Sequence, residues 1–121
     1  MVFDITDDTS DPRRLTQSVL QVIDLLDMYQ AELARVLCLQ CGDIGELASA
    51  QRCLVAGTEA WGQALLFVRF YSLLYDRMSG DGVAMRHWLR VENAALGGVP
   101  HLMIVDESRL ADVVSYLERT V

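Results

Sequence analysis

The chain lacks lysine altogether. Its ten basic residues are all arginine, set against 17 acidic ones for a formal net charge of −7. That excess excludes broad electrostatic adhesion to nucleic acid or to an anionic membrane, since both reward clustered positive charge. Only a local basic patch stays open to such partners. The missing lysine also excludes a phosphate-cradling glycine loop ending in Lys-Ser/Thr. Long apolar runs are lacking too. The most apolar stretch, 64–75, is interrupted by Arg69 and Ser72 and is too short to span a bilayer. The start, Met1-Val2-Phe3-Asp4, does not read as an export signal, which would open on positive charge and then an apolar run. The expectation is a cytoplasmic protein with no membrane segment. In that compartment the odd set of Cys38, Cys41 and Cys53 stays reduced.

What is present is globular. A chain of 121 residues has room for one domain with a modest core. Hydrophobic residues make up 52% and charged residues 22%, a slight apolar surplus that a small domain tends to hide against a partner. The expectation is therefore a homodimer or a complex. Much of the negative charge sits in Asp4, Asp7, Asp8 and Asp11, and residues 1–12 read as a poorly ordered leader.

The periodic signals are helical. Leu15, Val19, Val22, Ile23 and Leu26 fall on one stripe at the three-and-four spacing of a helix, started by Asp11-Pro12. A short helix is predicted over 30–37, with Leu33, Val36 and Leu37 turned inward, and a weaker one over 43–54 after the break at Gly42. Thr58 caps a long helix to about Met78, apolar almost all the way round. Its residues Phe67, Phe70, Tyr71 and Leu74 are the candidate dimerisation surface. Ser79-Gly80-Asp81-Gly82 is turn chemistry, and Asp81 caps a helix with Ala84, Met85, Trp88 and Leu89 as its inner face. A loop over 93–100 and an extended or irregular piece over 101–105 precede the last helix, which starts near Asp106 or Ser108. No alternating strands, repeats or linkers are seen. The predicted class is all-α, a small helical domain of about five to six helices.

Few constellations carry chemistry. Cys38-x-x-Cys41 with Cys53 is one pair short of a structural zinc site, and His87 and His101 stand far off, so cysteine reads as filler of small apolar positions. Asp106-Glu107 are adjacent and point different ways on a helix, which suits capping better than acid–base work. No catalytic residue, metal or cofactor is predicted. Residues 29–47 carry a helix-turn-helix signal, with small Ala34 where two helices approach and 38–41 as the turn. Its second helix offers Asp43, Glu46, Ser49 and Gln51, with Arg52 only at its end. Gln40, Ser49 and Arg52 are therefore candidates for weak DNA contact only.

The C-terminal half carries a more specific pattern. Ala84-Met85-Arg86-His87-Trp88-Leu89-Arg90 is followed by Asn93-Ala94-Ala95-Leu96-Gly97-Gly98-Val99-Pro100, then by a helix with Val113, Val114 and Leu117. These residues resemble the C-terminal toxin-binding domain of the Xre/MbcA/ParS antitoxin family. The resemblance covers about 58–121, and the region 13–57 is similar to that family's helix-turn-helix N-terminal part. The chain departs from the family in 101–109, where the usual glycine before the last helix is missing. The resemblance implies an antitoxin of a bacterial type II toxin–antitoxin pair, whose cognate protein toxin would be of the NAD-consuming RES-domain type and neutralised by occlusion. On that reading the toxin-binding set is Arg86, Trp88, Leu89, Arg90, Asn93, Leu96, Gly97, Gly98, Pro100, Arg109 and Arg119. The motif residues would shape the surface and the polar ones would contact the partner. The alternatives are a helix-turn-helix autorepressor and an unrelated interaction module. A neighbouring gene for a RES-type protein discriminates between them.

Overall fold

The computed structural model describes residues 11–119; the proposed leader falls almost wholly outside them. Among the described residues there are seven helices and no strand. They are α1 (Pro12–Leu25), α2 (Gln30–Leu37), α3 (Cys41–Ala48), α4 (Glu59–Arg77), α5 (Gly82–Arg90), α6 (Pro100–Val105) and α7 (Leu110–Arg119). The all-α class holds. No helix among them is long and apolar enough to cross a membrane.

The starts follow local chemistry. The Asp11 carboxylate accepts from the Arg13 amide at 3.0 Å, and the Thr58 hydroxyl accepts from the Trp61 amide at 3.2 Å. Asp81 accepts from both Val83 and Ala84. Each satisfies amides that a helix start leaves without partners. The ends of α1 to α4 share one device. Asp27, Cys38, Ala50 and Ser79 all adopt positive φ, between 53° and 63°. In each case the next amide reaches back to the last turn, as Met28 N does to the Ile23 carbonyl at 2.8 Å. This closing motif normally recruits glycine, and none of the four is glycine.

Helix α4 is the axis of the core. It packs against α1, α2, α5 and α7, while α6 bridges α2, α5 and α7. Phe67 and Phe70 are fully buried with ring centroids 6.1 Å apart, and Leu74 and Tyr71 join them. This corrects the dimerisation assignment. Phe67, Phe70, Tyr71 and Leu74 are core residues of the single chain, because α1, α2 and α7 cover that face of α4. A second copy docking on α4 would meet the half-buried Leu65, Leu66 and Leu73 instead.

Three boundaries also differ from expectation. The helix predicted over 43–54 is α3, begun at Cys41 and stopped at Ala48 by the left-handed Ala50. The tail 49–58 is pinned by Thr16, the one buried polar residue among those described, whose hydroxyl donates to the Pro12 carbonyl and accepts from the Leu54 amide. Residues 101–105 form a helix, not an extended piece, with Pro100 at its first turn and Met103, Ile104 and Val105 buried. The count of seven exceeds the predicted five to six for this reason.

Candidate functional site

The candidate interface is best built from α5 outward. Met85 and Leu89, four residues apart, are its only buried side chains and face the core. Arg86 and Arg90, one position on, lean to the opposite flank from the cleft described below. Arg86 donates to the Leu25 carbonyl at 3.2 Å; Arg90 donates to the carbonyls of Leu26 and Asp27 at 2.9 and 2.7 Å. Two cations thus sit on the C-terminal end of α1, where unpaired carbonyls and the helix dipole favour them. Both were expected as partner contacts. Their guanidinium groups are committed to holding α5 on α1.

The remaining face of α5 carries Val83, Ala84, His87, Trp88 and Val91. It lines an open cleft of about 640 Å³ whose lining also takes in Met78, Asp81, Glu92, Asn93 and Ala94. Val83 and Val91 are 69% and 45% exposed, large values for valine on a folded domain. Trp88 is half-buried between cleft and core. Of the proposed toxin-binding set, Trp88 and Asn93 belong to this cleft. The sequence reading missed Val83, His87 and Val91, although their four-residue spacing was the available signal.

The loop after α5 is held by Asn93. Its side-chain oxygen accepts from the Ala95 and Leu96 amides at 3.0 and 3.2 Å, and its own amide donates to the Gly98 carbonyl at 2.8 Å. Gly97 takes φ +84° within that turn, and Gly98 lies against the Met103 side chain. Leu89, Gly98 and Pro100 therefore turn inward, and Gly97 acts through its backbone. Leu89 and Pro100 are buried, so within the proposed set they can shape the surface and cannot touch a partner.

Leu96, Arg109 and Arg119 fall together elsewhere, in a more polar cleft of about 590 Å³ that also takes in Tyr116, Asp112 and Glu118 of α7. Arg109 is bound to Asp112 at 2.9 Å and approaches Glu107 at 3.8 Å. Its hydrogen bond to Asp112 raises the guanidinium's already high pKa further. The proposed set is thus divided between two clefts, the core and the α1 clamp.

The N-terminal signal also takes physical form. Helices α2 and α3 pack together across the three-residue turn 38–40, with Ala34 buried and Cys38 in the left-handed conformation. Gln40 precedes α3, and its amide donates to Asp43 at 3.1 Å. Ser49 turns back onto the Glu46 carbonyl. Arg52 forms ion pairs with Asp43 at 3.0 Å and Glu46 at 3.4 Å. Arg52, the cation at the end of this unit, is thus neutralised twice. A hydrogen bond between the Glu32 and His101 side chains and an Arg35–Asp106 ion pair tie α2 to α6 and its C-cap, and join this unit to the C-terminal half.

Cys38 and Cys53 carry free thiols and line a small cavity of about 210 Å³ with Glu59. Desolvation, a hydrogen bond to Glu59 and that residue's charge all raise the Cys38 thiol above its ordinary pKa, which disfavours the nucleophilic thiolate. Among the described residues, no cluster of three or more His, Cys, Asp or Glu side chains could hold a metal ion. Compared with known proteins, the chain matches no protein-family model and no curated protein.

Proposed function

We propose that the chain is an antitoxin, which binds a toxin encoded beside it through its C-terminal half and neutralises it by occlusion. The observation that carries this reading is the apolar cleft on the outer face of α5. It lies within the segment that resembles the antitoxin family, and it exposes valine and tryptophan surface of the kind that a partner covers. By the resemblance, the partner would be a RES-domain, NAD-consuming toxin, and the chain itself would perform no chemistry. The test is co-expression with the adjacent gene in a bacterium. Arrest of growth by the adjacent gene alone, rescue by the full chain and co-purification are expected. Absence of rescue overturns the reading.

A second reading, autorepression through α2 and α3, draws on the two-helix geometry and the left-handed turn at Cys38. Against it stands the charge: Asp43 and Glu46 pair with Arg52, the arginine that follows the second helix. We infer at most weak DNA binding by this unit.

A further inference from the structure

We propose that the groove along α5 seats an amphipathic helix of the partner, apolar along its seam and carrying arginine or lysine near both ends. This rests on the partner-binding reading above and deepens it by naming what docks.

The apolar seam comes first. Val83 and His87 lie four residues apart on α5 with Ala84 and Trp88 beside them, and Val91 follows directly after its last turn, so the exposed stripe runs along the helix and onto the residue that ends it. A stripe of that shape is matched by anchors three and four residues apart on a second helix, the helix-in-groove mode of recognition.

Charge then selects the occupant. Asp81, which caps the start of α5, and Glu92, just past its end, both line the groove, and among the described residues no arginine does. The nine-residue helix, about 14 Å long, separates the two carboxylates. The two arginines of α5 that would have balanced these carboxylates are instead turned onto the carbonyls of Leu25, Leu26 and Asp27. The helix therefore sorts its charge, with cations to its own fold and carboxylates to the groove. An occupant with cations about three turns apart meets both ends. Anionic membranes and nucleic acid are repelled by the same carboxylates and by the net charge of −7.

The test uses two synthetic helical peptides of about 16 residues, long enough to span the groove. Both carry leucine along one seam; one bears arginine at each end and the other bears glutamate. Titrated into the labelled full chain, the arginine peptide should move the methyl signals of Val83 and Val91 and the indole signal of Trp88. The glutamate peptide should not. Asp81→Asn, which keeps a capping side chain, and Glu92→Gln should each weaken the arginine peptide about two- to fivefold at low salt. Glu92→Arg should shift preference toward the glutamate peptide. No shifts, equal binding of both peptides, or shifts confined to Leu96 and Tyr116 would overturn the proposal. Co-expression separates it from the antitoxin reading. If Val83→Glu with Val91→Glu, both at exposed positions, still rescues growth and co-purifies, the groove is wrong and the antitoxin reading stands. If the unaltered chain gives no rescue, that reading falls and the peptide titration alone decides the groove.

Discussion

Cutting Arg90 back to alanine removes two hydrogen bonds to the end of α1, at 2.9 Å to the Leu26 carbonyl and 2.7 Å to that of Asp27, and a longer one of 3.4 Å to the Arg86 carbonyl within α5. Bonds from a charged donor contribute about 1.5–3 kcal/mol each when shielded, and a cation at a helix C-terminus adds about 0.3–1 kcal/mol. Arg90 is solvent-exposed, so water takes over part of what is lost. The expected net cost is about 1–2 kcal/mol, well below the sum of those parts. At this chain length that corresponds to a fall in Tm of about 4–8 °C. Arg90→Lys keeps the charge but loses the fork that reaches two carbonyls, and should recover about half. Arg86→Ala, which breaks a single bond at 3.2 Å, should cost less than Arg90→Ala. Urea and thermal unfolding followed by circular dichroism measure all three. An Arg90→Ala protein within about 0.3 kcal/mol of the parent, yet unable to hold its partner, would refute the clamp and restore Arg90 as a contact residue.

The other predictions are shorter. Phe70→Ala should lose about 3–5 kcal/mol of folding stability in urea, because the site lies in the single chain's core; a loss under about 1 kcal/mol would count against that placement. Gly97→Ala should cost about 1–2 kcal/mol through backbone strain alone, since φ is +84° and a Cβ there meets nothing within 4 Å; an unchanged urea midpoint would show that the turn relaxes freely. Fluorescence anisotropy with upstream duplex at physiological salt should give a Kd weaker than about 1 μM; tighter, sequence-selective binding that Arg52→Ala abolishes would overturn the charge argument. In a Cys41→Ser, Cys53→Ser background, Glu59→Gln should speed alkylation of Cys38 near neutral pH. Removing the carboxylate lowers the raised thiol pKa and increases the thiolate fraction; an unchanged rate would rule out Glu59 as a cause.

The sequence by itself determined the class and most of the helices. α1, α2, α4 and α5 begin within a residue or two of where Asp11-Pro12, Gln30, Thr58 and Asp81 place them, because capping and the three-and-four apolar rhythm are local properties of a few neighbouring residues. The two-helix unit at 30–48 was legible for the same reason. Helix ends were less so. Asp27, Cys38, Ala50 and Ser79 close their helices in a conformation usually signalled by glycine, and the next amide's bond back to the last turn accompanies it in each case. The helix at Pro100–Val105 was hidden because six residues are too few to display a period, and burial against α2, α5 and α7 supplies what periodicity does not. Tertiary structure alone decided the rest. An apolar stripe says that a face is covered, not by what. So the sequence could not tell that α1, α2 and α7 cover Phe67, Phe70, Tyr71 and Leu74, while the stripe at Val83, His87 and Val91 is left open. Nor could it tell that Arg86 and Arg90 face the end of α1, since the carbonyls they meet lie more than 60 residues earlier in the chain.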